Sequence, residues 1–207
     1  DILQTEFPKD IDLVIHLAGL SGVRDSLDKP TDYWKTNVIG TQRLFEHYKD
    51  TRILFASSST AHEPWKNPYA MSKYSMEQLN HNNSVGMRFT TIYGPGARKN
   101  MLIPKILKND IQYLNVNHIR DFIHVNDIVN AVQVMMSNTF RGVIDVGTGV
   151  SNKLVDIADY FKIDYKSAIG GETERLDNTA DTSILNKFGW RAKINLYDYI
   201  EKTKSVN

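Results

Sequence analysis

The sequence predicts an α/β protein in which a doubly wound parallel sheet is joined to a smaller α/β lobe, and three observations predict it. Two short apolar runs, Leu13 to Gly19 and Ile53 to Ala56, end in small or hydroxyl residues, as buried parallel strands do at the carboxyl edge of a sheet. Helical patterns separate the β-rich runs at the spacing of βα units. The 207 residues suffice for one large domain or two small ones with a sizeable core, and they contain no internal repeat.

Composition excludes several classes of function. Lys and Arg number 25 against 24 Asp and Glu, a net charge of +1, which leaves no electrostatic footprint for nucleic acid or an acidic membrane surface. The absence of cysteine rules out a disulfide scaffold and any Cys-ligated metal centre, and no metal site is expected. No apolar run has the length of a membrane span and no signal peptide is recognised at the start, so the expectation is a soluble cytoplasmic protein that binds no membrane.

In chain order, the polar stretch Asp1 to Asp10 leads into the first strand, whose small terminal residues let a flat ligand approach the backbone. Gly22 to Ser26 reads as a loop, and Asp32 to Tyr48 as a helix with apolar residues at three- and four-residue steps. Asn37 interrupts that apolar face, either as a structural hydrogen-bonder or as a group beside a ligand. The second strand ends at Ser57-Ser58-Ser59-Thr60, and Asn67-Pro68 opens a helix running to about Asn82. Val85 to Ile92 reads as one strand closed by the turn Tyr93-Gly94-Pro95-Gly96. Further on, Met101 to Lys108 is a short helix, Arg120 to Val125 is strand-like, and Asp127 to Ser137 is an amphipathic helix with Asn126 or Asp127 suited to cap it. A strand at Gly142 to Val146 and helices at Leu154 to Phe161, Thr182 to Phe188 and Leu196 to Lys202 complete the pattern. Gly147-Thr148-Gly149 lacks the third glycine of the dinucleotide fingerprint and reads as a tight turn, with Ser151 or Asn152 capping the next helix.

Chemistry concentrates between Ser57 and Lys73. Tyr69 and Lys73 are four residues apart and share a helix face, opposite a hydroxyl at a strand end where ligands of open α/β sheets bind. A phenol of pKa about 10 is a poor base at neutral pH, but an adjacent ammonium and a cationic cofactor ring favour the phenolate. The serine then holds the substrate oxygen whose proton moves.

These residues form part of a longer pattern: His16-Leu17-Ala18-Gly19, Gly22-Val23-Arg24 with Ser26-Leu27 and Pro30, Asn37-Val38 with Gly40-Thr41, the serine run, Asn67-Pro68-Tyr69-Ala70 with Ser72-Lys73, Tyr93-Gly94-Pro95, and Arg120-Asp121-Phe122 with His124-Val125. Together, in this order over nearly the whole chain, they resemble the extended short-chain dehydrogenase/reductase family, and within it the nucleotide-sugar epimerases. The resemblance implies a Rossmann-type sheet binding NAD in residues 1–95 plus 120–143, and a nucleotide-sugar lobe in residues 96–119 plus 144–207. It assigns Ser58, Tyr69 and Lys73 as catalytic, and Asp1, Ile2, Leu17, Ala18, Gly19, Asn37, Tyr69 and Lys73 as cofactor-binding.

Relatives that dehydrate their sugars carry an Asp-Glu pair directly after the catalytic hydroxyl, and those that decarboxylate them carry a Glu two positions after it. Here those positions are Ser59 and Thr60, so the resemblance implies simple epimerisation. The Arg24 loop and the run Arg88 to Arg98 look like the UDP-glucuronate 4-epimerase branch, in which Thr91, Arg98, Ser59 and Thr60 would hold a sugar carboxylate. Arg98 could equally be a solvated loop residue. Arg120 matches a diphosphate-contacting arginine or else forms a local salt bridge, and Arg175 is a second candidate for the diphosphate. Asp1-Ile2 match the adenine-contacting pair after the third strand, so the Gly-rich βαβ unit is expected to be missing and the Val14 strand to be an edge. The resemblance also implies a homodimer through the helices holding Asn37 and Tyr69. A non-catalytic sugar-nucleotide-binding paralogue and a reductase or dehydrogenase are the alternatives.

Overall fold

The β-rich runs and helical patterns take shape in a computed structural model that describes residues 1–205. In chain order the elements are β1 (Leu13–His16), α1 (Val23–Asp28), α2 (Pro30–Tyr33), a π-helical segment (Trp34–Ile39), α3 (Gly40–His47), β2 (Arg52–Ser58), 3₁₀ turns at Ser59–His62 and Pro64–Lys66, α4 (Pro68–Gln78) and β3 (Ser84–Phe89). There follow β4 (Thr91–Tyr93), α5 (Leu102–Leu107), β5 (Tyr113–Asn115), β6 (Ile119–Arg120), β7 (Phe122–His124), α6 (Val125–Met136) and β8 (Gly142–Val146). The chain ends with β9 (Asn152–Lys153), α7 (Leu154–Tyr160), β10 (Lys166–Ala168), α8 (Ser183–Lys187) and α9 (Leu196–Lys204). Two compact units are formed, one from residues 1–89, 132–145 and 172–175, the other from residues 90–131, 146–171 and 176–207.

The first unit is organised by a sheet of order β1-β2-β3-β8. The parallel register sets Leu13 opposite Arg52 and His16 opposite Phe55, then Ile53 opposite Ser84 and Ser58 opposite Phe89. β1 is the outer strand, and Ile15 is 42% exposed there. Helices cover the interior strands because their apolar stripes have no other place to go: Leu44, Phe45, Tyr48 and Met76 close over Ile53 and Phe55, with Ile2, Phe7 and Val14 packed around them. Each such side chain contributes roughly 1.5–3 kcal/mol through removal from water. In the second unit β4 pairs with β7 and β5 with β10, both parallel, while β6 and β9 are antiparallel. Its core gathers Tyr93, Ile106, Leu114, Ile157, Leu196 and Ile200. Among the described residues no helix is long and apolar enough to cross a membrane.

Several local expectations are corrected. Gly22 to Ser26 is not a loop: Val23–Asp28 is helical, with the buried Ser26 hydroxyl donating to the Val23 carbonyl at 2.6 Å. The helix after it starts at Pro30, whose missing N–H costs nothing at a first helical position, and loosens into a π turn around Asn37. The run from Val85 to Ile92 is two strands, because at Thr90 the chain leaves one sheet for another and its N–H donates to the Val146 carbonyl. α4 stops at Gln78, short of Asn82. Asn126 and Asp127 lie inside α6, and the Asp127 carboxylate accepts from the Lys193 and Ile194 amides instead. Neither Ser151 nor Asn152 caps α7; its N-cap is Lys153, without a side-chain bond.

Gly86 sits opposite Phe55 across β2 and β3, and a Cβ there would lie 2.7 Å from the Phe55 ring tip. Gly86→Ala should therefore lower stability by about 1–3 kcal/mol through overpacking; a urea midpoint equal to that of the unsubstituted protein would show that Phe55 yields freely.

Candidate active site

The carboxyl end of β2 and the start of α4 build the centre. Asn67 caps α4, its side-chain oxygen accepting from the Ala70 amide at 2.8 Å, and Pro68 takes the first helical position. That start fixes where Tyr69 and Lys73 point. Lys73 is 5% exposed, and its ammonium donates to the Ala56 carbonyl of β2 at 2.7 Å. Burial pulls its pKa down from 10.5 to about 8, against the upward pull of the Glu77 carboxylate. It therefore stays mainly charged at neutral pH. The Ser58 hydroxyl oxygen accepts from the Thr60 amide at 3.3 Å and from the Thr60 hydroxyl at 3.0 Å, which leaves its own proton to be donated outward. Tyr69 is half-buried, and the Tyr33 ring meets it edge-on with centroids 6.0 Å apart.

The tip of β1 adjoins this centre. Asn37, fully buried in the π turn, accepts from the Leu20 amide at 2.7 Å and donates to the Leu20 carbonyl at 3.1 Å and the Ser72 hydroxyl at 2.8 Å. One amide thus ties the β1 loop to α4, as the structural reading of a buried Asn describes. A Cβ on Gly19 would come within 2.9 Å of the Asn37 side-chain oxygen and 3.3 Å of the Lys73 nitrogen. The missing side chain keeps an approach to the ammonium open. Leu17 is 63% exposed, and Ala18 and Gly19 are exposed beside it, so the strand tip forms an uncovered ledge. His16, beneath the ledge, lies 2.9 Å from the Thr41 hydroxyl; burial, and secondarily Lys73, lowers its pKa to about 4, so it is neutral. Asp1 accepts from the Leu3 amide, and Ile2 packs on Gly40, with Arg43 donating to the Ile2 carbonyl.

A charged network behind β2 is absent from the sequence reading. Glu77, whose side chain is 0% exposed, accepts the Ser57 hydroxyl at 2.5 Å and takes two bonds from Arg88, at 2.8 and 2.6 Å. Its signal was available, since Glu77 lies four residues beyond Lys73 on the face already carrying Tyr69. Other candidates surround the serine turn. Ser59 is buried, and its carbonyl accepts from Arg175 at 2.7 Å, while Arg175 also pairs with Glu63 at 3.3 Å. Arg24, with a side chain 84% exposed, lies 3.8 Å from Glu174.

Thr91, Arg98 and Arg120 belong to the second unit, so the four residues expected around a sugar carboxylate divide between the units. Thr91 accepts from the Asn178 amide at 3.0 Å, and Arg98 is exposed. Arg120 donates to the Ile119 and Leu176 carbonyls. The neighbouring Asp121 carboxylate is fully buried and accepts from the Thr148 amide and hydroxyl and the Gly149 and Ala180 amides. The Gly147-Thr148-Gly149 turn thus wraps a carboxylate, which explains why a Cβ on Gly147 would strike Asp121 at 2.4 Å.

A parallel sheet flanked by helices defines a Rossmann-like α/β fold. The chain belongs to the NAD dependent epimerase/dehydratase family, whose description it matches over residues 2–147. A Methanocaldococcus jannaschii protein described as uncharacterized is 30% identical over 64% of this chain and 50% of its own length, so the chain spans about half of that relative. The UDP-glucuronate 4-epimerase of Thermodesulfobacterium geofontis is 29% identical over 72% of this chain and 56% of that protein. Among solved structures, MoeE5 in complex with UDP-glucuronic acid and NAD is similar with a TM-score of 0.80 and 26% identity, covering 94% of this chain and 78% of that one. The NAD-dependent NDP-hexosamine 5,6-dehydratase TunA shares the fold, with a TM-score of 0.85 at 22% identity over 99% of this chain and 80% of that one.

The Lys73 pKa has a consequence for stability. Because it is about 8 when folded and 10.5 when free, the unfolded chain binds more protons between those values, and stability rises with pH across that window. The penalty is complete below pH 8 and amounts to about 3 kcal/mol. Lys73→Met should flatten that rise in denaturant titrations at pH 7.5 and 10.5; an unchanged difference between the two pH values would show that Lys73 is not its source.

Proposed function

We propose that the chain catalyses NAD-dependent epimerisation at C4 of a nucleotide-diphosphate sugar through a 4-keto intermediate, with a UDP-glucuronate-like uronate as substrate. The observation that carries this reading is the buried ammonium of Lys73, fixed on the helix that presents Tyr69 and left accessible by Gly19. NAD fits there: the ledge of Leu17, Ala18 and Gly19 offers a flat approach, Lys73 offers a donor and Tyr69 a hydrogen-bonding oxygen for its ribose, and Asp1 and Ile2 are assigned to its adenosine end. Bound NAD would supply reversible acceptance of hydride from C4.

The residues of the chain account for the proton. Lys73 as ammonium favours the Tyr69 phenolate, which takes the proton of the C4 hydroxyl. Ser58, its oxygen already accepting from Thr60, donates to the substrate oxygen as the carbonyl develops. The 4-keto sugar then presents its opposite face, and Tyr69 returns the proton to the inverted hydroxyl. Ser59 and Thr60 bring no acid after Ser58, and the carboxylate of Glu63 is engaged with Lys66 and Arg175, which favours epimerisation over elimination. On this reading the first unit binds NAD, with Asn37 acting through the β1 loop, and the second binds the nucleotide sugar, with Arg120 assigned to the diphosphate and Thr91 and Arg98 to the sugar end; Arg175 and Arg24, the other residues assigned to the sugar nucleotide, belong to the first unit. The exposed Trp34, Met71 and Tyr74 suit a homodimer through the helices that hold Asn37 and Tyr69.

Tyr69→Phe should abolish interconversion of UDP-glucuronate and UDP-galacturonate while retaining sugar-nucleotide binding by calorimetry; normal turnover in that variant would sink the assignment. Arg98→Ala should weaken UDP-glucuronate more than UDP-glucose, by about tenfold for a lost charge-assisted contact, and equal losses for the two ligands would remove the carboxylate role.

A further inference from the structure

The mechanism above leaves unused the one carboxylate that shares a helix face with its base. Tyr69, Lys73 and Glu77 follow one another at four-residue steps along α4. The Glu77 side chain is wholly buried, and burial of a carboxylate is costly unless it is paired and hydrogen-bonded. Two bonds from the Arg88 guanidinium on β3 and one from the Ser57 hydroxyl on β2 meet that need. Ser57 immediately precedes Ser58, so whatever fixes Ser57 fixes the strand end from which Ser58 projects. The network continues outward, with Arg88 3.9 Å from Asp145 of β8 and 3.3 Å from the His62 ring, and His62 2.9 Å from Asp145.

We propose that Glu77 is a positioning residue for the catalytic trio: its carboxylate, ion-paired with Arg88, anchors the carboxyl end of β2 through Ser57 and places a buried negative charge one helical turn beyond Lys73. The inference rests on the assignment of Ser58, Tyr69 and Lys73 as catalytic. The groups near Lys73 are neutral His16 on β1, the Asn37 amide from the π turn, the Ala56 carbonyl on β2 and Glu77 on its own helix, where Tyr69 stands four residues before it. Glu77 therefore opposes the burial that drives the proton off Lys73.

Two variants test the two halves. In protein labelled with ¹³C-lysine, with the Lys73 signal assigned through Lys73→Arg, the Lys73 titration should fall by about one pH unit in Glu77→Gln and return in Glu77→Asp. An unchanged midpoint in Glu77→Gln would overturn the effect of that charge on Lys73. Ser57→Ala keeps the Glu77 and Arg88 ion pair, and so carries the test even where Glu77→Gln fails to fold. It should lower kcat about tenfold, as a small displacement of Ser58 does, with KM and the Lys73 midpoint unchanged. Full kcat in Ser57→Ala would overturn the anchoring role. Lack of turnover in the unsubstituted protein would instead refute the proposed reaction, and the Lys73 titration would still decide on Glu77.

Discussion

A buried ammonium constrains everything around it. Lys73 has left water, so its charge must find an acceptor at fixed range, and the Ala56 carbonyl provides one only if α4 lies against β2 in a single register. That register depends on where the helix begins, which Asn67 and Pro68 decide, and on the strand spacing that the close approach of Gly86 to Phe55 permits. Asn37 then pins the β1 loop to Ser72 one residue before Lys73, and Gly19 clears the space between. Four segments far apart in sequence are thus held to one ammonium.

The same physics appears in the second unit with the sign reversed. Asp121 is as buried as Lys73, and there the backbone folds to the charge: the Thr148, Gly149 and Ala180 amides turn inward to the carboxylate. At Lys73 a side chain reaches a strand already in place, whereas at Asp121 a glycine-bearing turn is shaped around the anion. This is why a glycine-rich turn after a strand can resemble a phosphate cradle in sequence and yet enclose a carboxylate of its own chain.

Much of this was legible in the sequence because it follows from periodicity and local chemistry. The apolar runs at Leu13 and Ile53 gave the parallel strands, Asn67-Pro68 gave the start of α4, and the four-residue step gave the shared face of Tyr69 and Lys73. What escaped depended on partners distant in the chain. The π turn at Asn37 keeps helical composition and shows only in its hydrogen bonding, and the strand break at Thr90 is set by Val146. Glu77 was not singled out in the sequence, because its partners Ser57 and Arg88 lie on β2 and β3. Asp127 had the makings of a helix cap, but the Lys193 and Ile194 amides claimed it.

The two units also differ from beads on a string. The chain passes from one to the other at Phe89–Thr90, Ala131–Val132, Asp145–Val146, Gly171–Glu172 and Arg175–Leu176, one of those passages falling within α6. Neither unit is therefore a contiguous gene segment, so neither can be excised or shuffled as a single piece. During synthesis β1, β2 and β3 emerge with their fourth strand, β8, still unmade, and the sheet of the first unit is completed only after residues 90–131 of the second have been added.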